Sequence, residues 1–389
     1  MVFVHNYYQQ PGGEDRVVEQ EIQLLKEQGH EVILYKKSNH QIKSKTLINK
    51  LSLFVNTVWS ISSYIEFHRF LKEHNPDIVH FHNFFPIISP SAYYACKKRN
   101  IPVVQTIHNY RLICPAATFL REGKVCEKCL HGSILNSVKY GCYRGSRLQT
   151  LPIATMITVH KLFSTWTDKV SHYIALTEFS KKKIAASSIP PEKITVKPNF
   201  LNNQEEEICE KENYILYVGR LSYEKGIEIL LNAWQQIKND QNTQLLIIGD
   251  GPQFDKLRRE NGNAVFLGKQ SSTNVIKYMQ KAKYLIVPSI WYEGFPMTII
   301  EAYSVGTPVI CSKIGSLQEV VRDSYTGFHF QSSDVESLRH VLEKALSYKQ
   351  HRSLCVNSHD LFKSKYSKQL NYDILIRIYQ NSIRVRNRA

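Results

Sequence analysis

Short apolar runs along this chain alternate with longer stretches in which apolar residues return every three or four positions. The opening shows the pattern clearly. Val2-Phe3-Val4 is a buried-strand run, residues 7–15 form a loop carrying Pro11-Gly12-Gly13, and Val17, Val18, Ile22, Leu24 and Leu25 recur at helical spacing. Gly29 stops that helix before a second strand over residues 31–35, and the handedness of such a β-α-β unit favours a parallel sheet. Further strands are predicted over residues 77–81 and 102–107, each ending in a polar loop, His82-Asn83 and His108-Asn109, then over 173–176 and 194–196. Residues 199–213 are polar, acidic and without period, which marks a linker. The alternation then restarts, with strands over 215–218, 245–248, 264–267, 284–287 and 309–311 and helices between them. A last helix over about 372–383 leads into the basic tail Arg384-Val385-Arg386-Asn387-Arg388.

This pattern describes an α/β chain of two Rossmann-like, doubly wound domains. The first spans residues 1–198 and carries a cysteine-containing insertion at about 109–145. The second spans 214–371, and residues 372–389 form a terminal helix and tail able to pack back on the first. The first strand starts so close to Met1 that a truncated start stays open.

Composition narrows the class. At 43% apolar and 22% charged residues, the 389-residue chain is globular rather than disordered. No run approaches the ~18–20 apolar residues of a membrane span, and the start lacks the features of a signal peptide, so a cytoplasmic location is expected. The net charge of +16 is uneven: residues 1–200 hold 26 Lys and Arg against 14 Asp and Glu, leaving only +4 for the rest. A basic half suits phosphorylated ligands or anionic lipid. Residues 42–64 contain three lysines, no acid, and apolar Leu47, Leu51, Phe54, Val55, Val58, Trp59 and Ile61. They could rest on an anionic membrane face, or form an amphipathic helix packed on its own domain. Nucleic acid is not an expected partner, because no basic recognition helix or aromatic-interleaved basic strand is present.

The chemistry concentrates in the second half. In Glu293-Gly294-Phe295-Pro296-Met297-Thr298-Ile299-Ile300-Glu301, Pro296 suits a helix start, so Glu293 lies on a loop and Glu301 inside the helix. The helix N-terminus between them favours an anion. The strand before Gly219-Arg220 delivers one cation and Lys225-Gly226 a second, a fork and a point charge suited to phosphates. Gly249-Asp250-Gly251-Pro252 is a tight turn that lets backbone approach a ligand. A dinucleotide fingerprint would need glycine where Phe254 stands, which disfavours an NAD enzyme.

Taken in order, Pro11-Gly12-Gly13-Glu14, Gly29-His30-Glu31-Val32, Asp77-Ile78-Val79-His80-Phe81-His82, Thr177-Glu178-Phe179-Ser180, Gly219-Arg220 with Lys225-Gly226, Glu293 to Glu301, and Gly306-Thr307-Pro308-Val309-Ile310 resemble glycosyltransferase family 4 over nearly the whole chain. The resemblance implies the GT-B fold, two Rossmann-like domains facing across a cleft. It implies a retaining transferase with no catalytic metal or other catalytic cofactor, which uses a UDP- or GDP-sugar donor. The acceptor would be a glycan or a polyprenyl-linked glycan, in bacterial surface polysaccharide synthesis (capsule or lipopolysaccharide), with the enzyme cytoplasmic or peripheral at the inner face of the membrane. A GT-B epimerase or phosphorylase is the alternative. By position, Gly12 and Gly13 would approach the donor diphosphate or the acceptor, with Gly219 and Gly249 at the donor-side turns. Arg220 and Lys225 would hold the leaving diphosphate. Glu293 would face the donor sugar, Glu301 the ribose, and the backbone of Gly294, Phe295, Met297 and Thr298 the sugar hydroxyls or phosphate. His108 matches the histidine near the donor sugar, and His82 is a second candidate on the neighbouring strand end.

Cys114, Cys126, Cys129 and Cys142 are spaced C-x11-C-x2-C-x12-C in a segment poor in apolar residues. Four thiolates on a structural zinc fit this spacing. Four reduced structural thiols and an iron–sulfur centre are the other readings.

Overall fold

The computed structural model describes residues 1–9, 12–41, 47–202, 207–238 and 242–388. Pro11 of the first loop, residues 42–46 of the basic segment, residues 203–206 of the linker and Ala389 lie outside the described residues. The strands are β1 (Val2–Tyr7), β2 (Ile33–Ser38), β3 (Val79–Asn83), β4 (Val103–Ile107), a hairpin of β5 (Leu120–Arg121) and β6 (Lys124–Val125), β7 (His172–Ala175) and β8 (Ile194–Val196). A second series follows: β9 (Tyr214–Val218), β10 (Gln244–Ile248), β11 (Val265–Gly268), β12 (Tyr284–Val287), β13 (Val309–Ser312) and β14 (Gly327–Phe330).

Two six-stranded parallel sheets result, in the orders β2-β1-β3-β4-β7-β8 and β11-β10-β9-β12-β13-β14. The chain divides into two compact units, one of residues 1–119, 126–199 and 368 onward, the other of residues 120–125 and 200–367. The hairpin thus groups with the second unit and the C-terminal helix with the first.

Alternation within the strands explains why both faces of the first sheet are covered. Val2, Val4, Val79, Phe81 and Val103 face a core shared with Phe67, Leu71, Ala92 and Ile153. Phe3, Val104 and Ile174 face the other way, toward Val18 and Leu25 of helix Gly13–Glu27 and Leu375, Ile378 and Tyr379 of helix Lys368–Arg388. The first of these helices starts at Gly13, inside the stretch 7–15 expected as a loop. Glu14 and Asp15 lie in its first turn, and the Asp15 carboxylate accepts the Gly12 N–H at 2.8 Å, closing the cap. In the second unit one core joins Ile215, Tyr217, Leu245, Ile247, Tyr284, Ile286 and Ile310 to Leu230, Trp234, Leu338 and Leu342.

Three expectations need correction. His82 and Asn83 are buried members of β3, not a loop, because their polar groups find partners there: Asn83 donates to the Asn6 carbonyl at 2.8 Å and accepts the Phe85 N–H at 2.9 Å. β14, a four-residue edge strand containing Gly327 and His329, was not foreseen. The last helix is longer than its apolar pattern suggested, running Lys368–Arg388.

Candidate active site

In the second sheet β9 and β12 are hydrogen-bonded neighbours although β10 and β11 intervene in sequence. The chain leaves these two strands toward opposite edges, so a crevice forms at their carboxyl ends. Glycines bring the loops there into contact. Gly226 follows the short turn Tyr223–Lys225 at φ 68°, and a Cβ on it would stand 1.9 Å from the Pro288 carbonyl oxygen at the end of β12. Gly249, at φ 146°, leaves no room for a Cβ beside the Gly219 carbonyl, and Leu221 donates its N–H to the Asp250 carbonyl at 2.9 Å.

The loop after β12 holds Glu293, which is buried. Its Oε1 accepts three hydrogen bonds: from Lys225 Nζ at 2.7 Å, Ser289 Oγ at 2.7 Å and Trp291 Nε1 at 2.9 Å. Lys225 Nζ also lies 5.4 Å from the Trp291 ring centroid, and Ser316 Oγ donates to the Glu293 carbonyl. Arg220 extends from the loop after β9 with an exposed side chain. Pro296 precedes helix Met297–Ser304, whose first N–H groups receive no side-chain cap, and Glu301 is buried within it. The helix ends at Gly306, where φ is 64° and Thr307 donates its N–H to the Ala302 carbonyl. Helical N–H groups without a side-chain cap, four residues after the Glu293 that holds Lys225, can take an anionic ligand.

The first unit carries its polar groups near its own switch point, between β1 and β3. Lys197 and Glu21, both fully buried, form an ion pair, and Lys197 also donates to Asn371 at 3.2 Å. Glu21 Oε2 lies 3.4 Å from His82 Nε2, while His82 Nδ1 and His108 Nε2 share a hydrogen bond of 2.9 Å. Burial, with the Lys197 ammonium nearby, pushes His108 down to about 3, and burial holds His82 and His80 well below the usual imidazole range. All three rings are neutral at physiological pH. His80 bonds Tyr379 at 2.6 Å and Thr106 at 2.7 Å, which ties the C-terminal helix to the sheet. Nearer the Gly12-Gly13 turn, His5 bonds Asp15 at 2.7 Å. Burial and the neighbouring Asp15 push the Glu14 carboxyl up to about 8, against the pull of Arg111.

Comparison with known proteins matches residues 11–205 to the model of Glycosyltransferase Family 4, and residues 199–359 to that of Glycosyl transferases group 1. The chain belongs to glycosyltransferase family 4. A lipopolysaccharide 1,2-N-acetylglucosaminetransferase of Salmonella typhimurium is 31% identical over 47% of this chain and 53% of its own. An uncharacterised 41.2 kDa protein in the cps region of Klebsiella pneumoniae is 24% identical over 77% of both. The Anabaena protein HepE, solved in complex with UDP, superposes with a TM-score of 0.65 at 14% identity over 98% of this chain and 99% of that one. The fold of this glycosyltransferase is therefore GT-B.

Within the glycosyltransferase, the sequence candidates Lys225 and Glu293 are in direct contact, and Arg220, Gly219 and Gly249 stand on the loops around them. Gly294, Phe295, Met297 and Thr298 make the turn into the helix that holds Glu301. His108 and His82, treated as rivals from the sequence, are hydrogen-bonded to each other. Gly12 and Gly13 open the first helix, both exposed. Sequence reasoning missed Ser289, Trp291, Ser316, Glu21 and Lys197. Trp291 alone carried a local signal, since a half-buried indole N–H two residues before a glutamate needs an acceptor. A hollow of about 650 Å³, lined by Lys211, Lys283, Tyr348 and His351, opens instead at the amino ends of β9 and β12, away from these groups.

Proposed function

We propose that this family 4 glycosyltransferase moves a sugar, with retention, from a UDP- or GDP-sugar to a lipid-linked glycan of a bacterial surface polysaccharide. The observation that carries the donor assignment is the Lys225–Glu293 contact at the β9–β12 switch point, beside the helix containing Glu301. A diphosphate there would meet Arg220, Lys225 and the helical N–H groups, which stabilise charge as it develops on the leaving oxygen. Glu293, held by three donors, has a second oxygen to accept sugar hydroxyls. Glu301 would take the ribose. His108, neutral at physiological pH, would offer a hydrogen bond rather than a proton. At Gly12 a Cβ would meet nothing within 4 Å among the described residues, so those residues do not require glycine there. Close approach of a ligand would. Catalysis is assigned to these groups without a divalent ion.

The acceptor assignment draws on the relatives in lipopolysaccharide and cps contexts and on an apolar surface of the first unit. No helix of the described residues is long and apolar enough to cross a membrane. Helix Leu47–Val58 packs on helix Arg147–Leu162, yet Val55, Ile61, Ile65, Leu148, Leu162 and Phe163 remain exposed. Exposed Arg144, Arg147 and Lys161 flank them, a combination suited to an anionic membrane at the cytoplasmic face. Vesicle sedimentation should show binding that rises with anionic lipid, and equal binding to neutral vesicles would refute it. For the chemistry, NMR of the product from an α-linked nucleotide sugar should show an α-linkage, with the rate unchanged by EDTA. A β-linked product, a rate restored specifically by Mg²⁺ or Mn²⁺, or an epimerised nucleotide sugar formed without acceptor would overturn this proposal.

A further inference from the structure

The segment between β4 and helix Arg147–Leu162 poses a folding problem. From Leu120 to Tyr140 no apolar side chain is buried, and Ser137 is the one buried residue among them. The segment nevertheless holds the hairpin β5–β6, a turn at Glu127–His131 and the short helix Leu135–Lys139. A piece this small, without a core of its own, needs a cross-link. No disulfide joins Cys114, Cys126, Cys129 or Cys142.

These four converge. Cys126 donates its N–H to the Phe119 carbonyl at 2.7 Å, two residues after Ala117, whose N–H bonds the Cys114 carbonyl at 2.7 Å, and Asn136 of the short helix reaches the Lys128 carbonyl beside Cys129 at 3.5 Å. Cys126 and Cys129 flank the turn that follows the hairpin. Cys142 is set by its N–H bond to the Ser137 carbonyl at 3.0 Å, Cys114 by its N–H bond to the Tyr110 carbonyl at 2.8 Å. All the usual ingredients of a four-sulfur knuckle are present: a hairpin, a C-x2-C turn and two distant thiols.

We propose that Cys114, Cys126, Cys129 and Cys142 bind one structural zinc ion, which fixes the loop leaving the His108 strand end. The thiols are not yet at ligand spacing. Among the described residues, the group of three metal-ligating side chains whose donor atoms all lie within 4.8 Å of one another is Glu21, His80 and His82. That group is held by the Lys197 ammonium on Glu21, and His80 is bonded at both ring nitrogens, so it offers a cation little. Zinc–sulfur bonds of about 2.3 Å bring tetrahedral sulfurs to about 3.8 Å apart, so the ion itself would draw the thiolates in. With four thiolates no coordination position stays open for water or substrate, and the site is structural. Its link to the transferase site runs through Tyr110, two residues after His108. Tyr110 accepts the Cys114 N–H and its hydroxyl bonds Ser180 at 2.9 Å.

The test is metal analysis of the full chain purified without a metal-affinity tag. Close to one zinc per chain is expected, released in step with the titration of four thiols by an organomercurial. Cys129→Ser should lose the zinc, Cys355→Ser should keep it, and Cys126→His should retain it with weaker affinity. Should Cys129→Ser fail to fold, the wild-type stoichiometry and the Cys126→His variant still decide. Native protein with neither zinc nor iron, zinc retained at full stoichiometry in Cys129→Ser, or iron with sulfide and visible absorption would each overturn the proposal.

Discussion

Replacing Glu293 by glutamine removes one charge from the centre of the second unit while keeping a side-chain oxygen for its neighbours. Three donors meet Oε1, at 2.7, 2.7 and 2.9 Å. A hydrogen bond to a charged group contributes roughly 1.5–3 kcal/mol and a neutral one roughly 0.5–1.5 kcal/mol, so turning the Ser289 and Trp291 bonds neutral forfeits about 2 kcal/mol, to which the lost Lys225 ion pair adds. Lys225 is 28% exposed, and solvent screens its share to under about 1 kcal/mol, which leaves the expectation for Glu293→Gln at about 2–3 kcal/mol. Glu293→Ala should be worse, about 3–5 kcal/mol, because the buried Ser289 hydroxyl and the Trp291 N–H then lack an acceptor. A double-mutant cycle of Lys225→Met with Glu293→Gln should give a coupling of about 1–2 kcal/mol. Urea unfolding supplies these numbers, read in the transition that a nucleoside diphosphate shifts. Equal losses for the glutamine and alanine variants, with coupling near zero, would show that the contact does not organise this loop.

Arg220→Ala should lower turnover by ~10²-fold or more through loss of leaving-group stabilisation, whereas Glu301→Ala should raise the donor KM more than it lowers kcat. Steady-state kinetics with near-normal turnover for the first, or the opposite split for the second, would reassign them. Gly226→Ala, with its Cβ 1.9 Å from the Pro288 oxygen at φ 68°, should destabilise by about 3 kcal/mol or more, and a loss under about 1 kcal/mol would refute the close approach. Gly12→Ala should leave stability within about 0.5 kcal/mol yet impair transfer, and full activity would remove the glycine from the ligand site. Because Glu14 is pushed from 4.5 up to about 8, the folded chain keeps a proton that the unfolded chain releases. The melting temperature of the wild type should therefore fall relative to Glu14→Gln as the pH rises through that window and level off above it. A pH-independent difference would contradict this.

The alternation of apolar runs with helical spacing was enough to place the central strands of both sheets, because buried parallel strands must be continuously apolar, but not the hairpin β5–β6 or the edge strand β14. β1, β4, β9 and β12 stand within a few residues of their expected positions. Polar residues inside strands escaped the pattern. His82 and Asn83 read as a loop because their partners, Glu21, His108 and Asn6, lie 26 to 77 residues away along the chain. The buried Lys197–Glu21 pair spans 176 residues and leaves no local trace. At the candidate site, Lys225 and Glu293 were legible through motif and spacing, but their direct contact was not. It depends on strand order, which brings β9 against β12. Ser316, which fastens the Glu293 carbonyl, comes from the loop after β13 and follows from that same order.

Calorimetric titration of the purified chain with a panel of nucleoside diphosphates and nucleotide sugars tests the central claim most directly. One family, uridine or guanosine diphosphate with its sugars, should bind at one site per chain without added metal. At a ligand concentration 100 times its Kd, the bound form should gain about 2.7 kcal/mol in a companion thermal-shift series. Arg220→Ala and Glu301→Ala should each weaken that binding, and Cys355→Ser should leave it unchanged. Failure of every nucleotide in the panel to bind, or affinity unaltered in both Arg220→Ala and Glu301→Ala, would contradict the placement of the donor at the β9–β12 crevice.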